Sequence, residues 1–124
     1  AGQGERVRVP LVDGTLLPLS ERPDPDLIPD LLALCDVLPT GHHAAVSAGV
    51  RPGVSAVVVG DGAVGLCATL AAARSGAERV IVMSSHPRRQ DLAVRFGATD
   101  IVSERGAPGV AHVRELLNGG ADSV

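Results

Sequence analysis

The sequence predicts an α/β fold on a parallel sheet, in the order β-α-β-α-β-α-β, behind a shorter β and helical N-terminal stretch. Three observations predict it. Short unbroken runs rich in Val and Ile recur at 54–59, 80–83 and 101–102, as in strands buried on both faces. Each run is followed by a stretch of helical pattern, at 63–74, 87–96 and 108–117, which closes on Gly76, Gly97 or Asn118-Gly119-Gly120. Strands that alternate with helices of this length pair in parallel through right-handed crossovers.

The elements follow in order. Glu5 to Val9 alternates charged and apolar residues, which predicts a half-exposed strand. Asp13-Gly14 is a turn signal, and Leu16 and Leu17 restart an extended run. Residues 24–50 read as helical. Asp24 or Asp26 can cap, and Pro25 suits a first turn. Leu27, Ile28, Leu31, Leu32 and Leu34 then make an apolar face. Pro39 is expected to break the pattern and Thr40-Gly41 to restart it, with a second helical stretch over 44–50. After the three strand-helix pairs, residues 121–124 begin a fourth strand, expected to lie parallel beside 57–59 and stop short. Unpaired edge groups and exposed apolar surface there predict self-association.

Composition limits the function classes. The 124 residues are 45% hydrophobic and 20% charged, which fits one globular domain. There is no Trp or Tyr, and Phe96 is the only aromatic, so no ring platform for stacking bases exists. The net charge is −3 with no basic stripe, which argues against nucleic acid as a partner. No apolar stretch reaches a membrane span. Cys35 and Cys67 lie in apolar surroundings without C-x-x-C spacing and are expected to be reduced, packed thiols of a cytoplasmic protein. Ala1 to Arg6 lacks the plan of a signal peptide. The absence of an initial Met gives the expectation of a processed or engineered fragment.

The chemistry centres on Gly60-Asp61-Gly62-Ala63-Val64-Gly65. Alone, G-x-G-x-x-G is a weak signal. Here it follows a Val-rich strand and opens a helix, the context in which it binds a dinucleotide. Gly60 serves the tight turn, Gly62 the approach of a pyrophosphate, and Gly65 close packing of helix on strand. The N–H groups near Ala63 and Val64 are then placed to donate to phosphate. The bland alternative is a ligand-free glycine turn. A dinucleotide site that takes NAD usually has an acid at the end of the second strand, which holds the ribose 2′-hydroxyl. This chain has Met83-Ser84-Ser85-His86-Pro87-Arg88-Arg89 there, with no acid. Two hydroxyls, an imidazole and two guanidiniums suit a 2′-phosphate, and hence NADP, with NAD as the alternative. Against this stands the reading of Arg88 and Arg89 as solvated first-turn residues.

The wider sequence resembles the medium-chain dehydrogenase/reductase superfamily, specifically its zinc-dependent alcohol dehydrogenases. The residues that carry the resemblance are 36–45 (Asp-Val-Leu-Pro-Thr-Gly-His-His-Ala-Ala), Val50-Arg51-Pro52-Gly53, 57–65 and Phe96-Gly97-Ala98-Thr99-Asp100, in that order. By resemblance, residues 1–40 are the tail of a GroES-like catalytic domain with its connecting helix. Residues 41–124 are the first half of a Rossmann dinucleotide-binding domain. The resemblance implies hydride transfer between an alcohol, or the matching carbonyl compound, and a nicotinamide cofactor in a homo-oligomer. It places Thr40 near the nicotinamide as a catalytic residue, and Ser84, Ser85, His86 and Arg89 at the adenosine ribose or its phosphate. It also gives Asp36 the position of the third protein ligand of a catalytic zinc. The first two ligands, a Cys and a His, are absent, so the chain alone is expected to be inactive and to bind no catalytic zinc. Cys35, one residue off, reads as packing, and His42 and His43 as packing or helix-face residues. His112 has no chemical partner in the sequence and reads as solvated. A zinc-free quinone oxidoreductase relative and a non-catalytic nucleotide-binding module remain as alternatives.

Overall fold

The computed structural model describes residues 4–124. Three parallel strands form one sheet in the order β1-β2-β3: β1 (Ser55–Val59), β2 (Arg79–Met83) and β3 (Asp100–Val102). Ser55 lies opposite Arg79 and Val59 opposite Met83. Ile81 to Met83 then pair with Asp100 to Val102. Helices α4 (Ala63–Arg74), α5 (Pro87–Arg95) and α6 (Gly106–Leu116) make the crossovers. The bounds of α4 are those expected from sequence.

The period of two along the strands sorts the core onto two faces. Val57, Ile81 and Val102 pack with Val113 of α6, backed by Leu116 and Leu117. On the opposite face Ala56 and Val80 meet Ala72 of α4, while Val82 meets Ala93 of α5. Both faces are covered, which is why the strands read as unbroken apolar runs. Arg79 ties the lower end together. It forms a forked pair with Asp100, at 2.6 and 3.2 Å, and donates to the Leu116 carbonyl.

The fourth strand is reduced to one parallel bridge between Ala56 and Ser123. Val57 N–H donates to Ser123 O at 2.9 Å, and Ser123 N–H to Ser55 O at 3.1 Å. Asp122 fixes this stub by accepting from the amide and hydroxyl of Ser55, at 2.8 and 2.6 Å. The pairing is parallel as expected but centres on Ala56, so it reaches Val57 and not Val58 or Val59. Val59 and Val124 remain exposed.

The N-terminal stretch departs from expectation. No strand forms over 5–9, where Val7 is exposed, because no sheet edge within the described residues lies there to pair with it. A single helical turn, α1 (Val12–Thr15), takes the place of the Asp13-Gly14 turn. A 3-10 turn (Pro25–Leu27) leads into α2 (Ile28–Ala33). Asp24 is the cap, accepting from the Asp26 N–H at 2.9 Å.

Pro39 does not break the next helix. Helix α3 (Val37–Ser47) begins at Val37 and runs through it. Pro39 is the third helical residue, where its missing N–H costs no intrahelical bond. The break lies at Asp36 instead (φ −148°, ψ −65°). Gly41 is buried where α3 crosses α4. A Cβ there would stand 2.5 Å from Ala68 N and 2.7 Å from Cys67 Cβ, so only glycine permits this approach.

Candidate dinucleotide site

The glycine turn joins β1 to α4 at the C-terminal end of the sheet, where open parallel sheets bind their ligands. Gly60 has φ 113°, a conformation that side chains resist. A Cβ on Gly65 would collide with the Gly60 carbonyl oxygen, so Gly65 is what lets the helix start against the strand. Gly62 is the N-cap of α4, and an added Cβ there would meet nothing within 4 Å. No side chain caps this helix. Ala63 and Val64 are exposed, and the first N–H groups of a helix have no intrahelical acceptor. An open approach at Gly62 below an uncapped helix start is a geometry that fits a pyrophosphate.

A cleft of about 280 Å³ adjoins this turn, with Gly60, Asp61, Ser84, Ser85, Glu104 and Arg105 in its wall. The structure thus gathers the expected residues at the ends of β1 and β2. Ser84 is buried, while Ser85, His86 and Arg89 are exposed. His86 is the N-cap residue of α5, and its carbonyl oxygen accepts from the Arg89 and Gln90 N–H groups. Ser85 accepts from Arg105 at 2.8 Å. Gln90 donates to Ser84 O at 2.6 Å and to Ser103 Oγ at 3.1 Å, which locks the ends of β2 and β3 together.

Sequence reasoning sought an acid only after the second strand, and missed Asp61. Its carboxylate accepts from Ser84 Oγ at 2.6 Å and from Arg89 Nη1 at 3.1 Å. Its side chain is only 11% exposed. The Ser84 hydrogen bond, with help from the Arg89 guanidinium and from His86, holds this carboxyl below its ordinary value although desolvation pushes it up. The available signal was the acid inside the glycine motif itself. Arg105 and Gln90 were also missed, since neither belongs to a motif.

Asp36 and Thr40 come together one turn apart at the start of α3. Thr40 Oγ1 donates to Asp36 Oδ1 at 3.0 Å, and both residues are exposed. Asp36 holds the N-cap position, yet its side chain caps no backbone N–H. Among the described residues no group of three His, Cys, Asp or Glu side chains is placed to hold a metal. One carboxylate falls short of the roughly three protein ligands a catalytic zinc takes, so these residues alone do not fit one.

The remaining cysteines and histidines divide by exposure. Cys35 is exposed rather than packed, its thiol 3.8 Å from Leu31 O, whereas Cys67 is buried and burial raises its pKa. His42 and His43 are exposed on α3, and His43 Nε2 lies 3.3 Å from Ser47 Oγ. His112 has a partner after all: its Nδ1 lies 3.1 Å from Glu104 Oε2. Among the described residues no helix is long and apolar enough to cross a membrane.

Comparison with known proteins places the chain in a family. Residues 63–124 match a family described as zinc-binding dehydrogenase. The chain is 41% identical over 117 residues to formaldehyde dismutase of Pseudomonas putida, covering 94% of this chain and 29% of that protein. It is 40% identical over 92 residues to the NADP-dependent isopropanol dehydrogenase of Clostridium beijerinckii, covering 73% of this chain and 26% of that protein. The solved structure of benzyl alcohol dehydrogenase from Acinetobacter calcoaceticus superposes with a TM-score of 0.65 at 38% identity, over 71% of this chain and 25% of that one. The chain thus spans less than a third of the length of each of these relatives.

Proposed function

The chain belongs to the zinc-binding dehydrogenase family, and on that premise we propose that it supplies the cofactor-binding side of a cytosolic alcohol dehydrogenase that prefers NADP. The observation that carries this is the open turn at Gly62, leading into an uncapped helix beside the Ser84 and Arg89 rim. A bound nicotinamide dinucleotide supplies the hydride chemistry that interconverts an alcohol and its carbonyl compound.

This chain's residues bind and orient. The N–H groups at Ala63 and Val64 donate to the pyrophosphate. Ser85, His86 and Arg89, with Ser84 behind them, would hold the adenosine ribose and its 2′-phosphate. Thr40 would face the nicotinamide; its hydroxyl donates to Asp36. Asp36 is offered as one carboxylate ligand to zinc, since its side chain is not spent on capping. The C. beijerinckii relative, NADP-dependent by name, supports the cofactor reading.

Calorimetric titration of the enzyme that carries this chain tests the reading. NADP should bind several-fold more tightly than NAD. Equal or reversed affinities would overturn the preference, and binding of neither nucleotide would overturn the function.

A further inference from the structure

We propose that Asp61 reads the 2′ position of the adenosine ribose, accepting from a free hydroxyl and opposing a phosphate. The inference rests on the dinucleotide reading above and goes beyond it. The end of β2 lacks an acid, but the turn from β1 delivers one to the same place. Asp61 Oδ2 takes the Ser84 hydroxyl at 2.6 Å, and Oδ1 takes Arg89 at 3.1 Å. These are two of the groups that would recognise a 2′-phosphate, and both are already committed to a carboxylate.

Charge decides the direction. A phosphate drawn to Arg89 must share that guanidinium with a carboxylate in direct contact with it, whose own side chain is largely shielded from water. Like charges brought together at a binding surface cost affinity. A ribose 2′-hydroxyl meets no such opposition. Each carboxylate oxygen can accept about two hydrogen bonds, so Asp61 keeps capacity for a hydroxyl while holding Ser84 and Arg89. The Ser84 and Arg89 contacts also keep the acid ionised at neutral pH. Arg89, His86 and Arg105 pull toward NADP while Asp61 pulls back, so the preference is narrow and NAD is still admitted. The acid sits between Gly60 and Gly62, so the ribose reader and the pyrophosphate cradle are parts of one turn.

The test uses 5′-ADP and 2′,5′-ADP, which isolate the adenosine end. Both are titrated into the enzyme carrying this chain, unchanged and as Asp61→Asn, with Asp61→Ser as the second variant should the first not fold. Removing the charge should tighten 2′,5′-ADP and weaken 5′-ADP, moving their ratio by about tenfold or more toward the phosphate. An unchanged ratio, or equal weakening of both, overturns this inference alone and makes Asp61 a support of the turn. If the unchanged protein binds neither probe, the dinucleotide reading falls and this inference with it.

Discussion

Residues 27–34 and residues 54–59 are both rich in branched apolar side chains, yet they end in opposite states. Ile28–Ala33 buries no residue, and Leu27, Ile28, Leu32 and Leu34 are all exposed. In β1 the side chains of Ala56 and Val57 are buried. Hydropathy does not separate the two. Neighbours do: β1 has a strand beside it and helices on both faces, whereas within the described residues α2 has little beyond its own leading turn. A helical apolar stripe is half of an interface, and its burial is set by the other half.

The sharpest way to break this contrast is at Ile81, fully buried at the centre of the sheet. Ile81→Ala should cost about 2–5 kcal/mol, since it removes transfer energy and leaves a cavity. Urea unfolding would measure it, and a loss below about 1 kcal/mol would mean the core repacks too freely for the sheet to be its organising element.

A smaller effect is expected at the Arg79 and Asp100 pair. The Arg79 guanidinium holds the Asp100 carboxyl below its ordinary value, with help from Thr99, while desolvation works against it. A depressed folded-state pKa means the stabilisation is fully present above the unfolded value, near 4, and is lost as pH falls through the lower folded value. Asp100→Asn should therefore cost about 1–3 kcal/mol at neutral pH. The gap between variant and unchanged protein should close as the solution is acidified. A gap constant across that range would show that Asp100 acts by shape alone.

The smallest effect belongs to the N-terminal region. Leu17 is 91% exposed, and Leu17→Ala should shift stability by less than about 0.5 kcal/mol. A loss comparable to that of Ile81→Ala would erase the contrast and show that Leu17 is covered in solution.

What was legible in the sequence follows the same division. The β1-α4-β2 unit could be read from its residues because the buried run, the glycine turn and the closing Gly76 all constrain the same backbone. The strand expected over 5–9 failed because alternation describes a strand only where an edge is available for pairing. Pro39 misled because a proline's effect depends on its distance from the helix start, which the sequence does not mark. At the site, Gly60, Gly62 and Gly65 were legible through backbone need. Asp61 was not, because its contacts with Ser84 and Arg89 span 23 and 28 residues and depend on how the turn aims one side chain.

The glycine at position 41 has a mechanical consequence. Because α3 and α4 touch backbone to backbone there, they form a single lever with little slack between them. Any bending between residues 4–36 and the sheet would fall on the turn at 34–36, on the near side of that crossing. Thr40 lies on the lever, while Asp36 lies at the pivot. A swing of the N-terminal region would turn the Asp36 carboxylate with its own backbone and leave the Thr40 hydroxyl where it is. The 3.0 Å hydrogen bond between the two would stretch first.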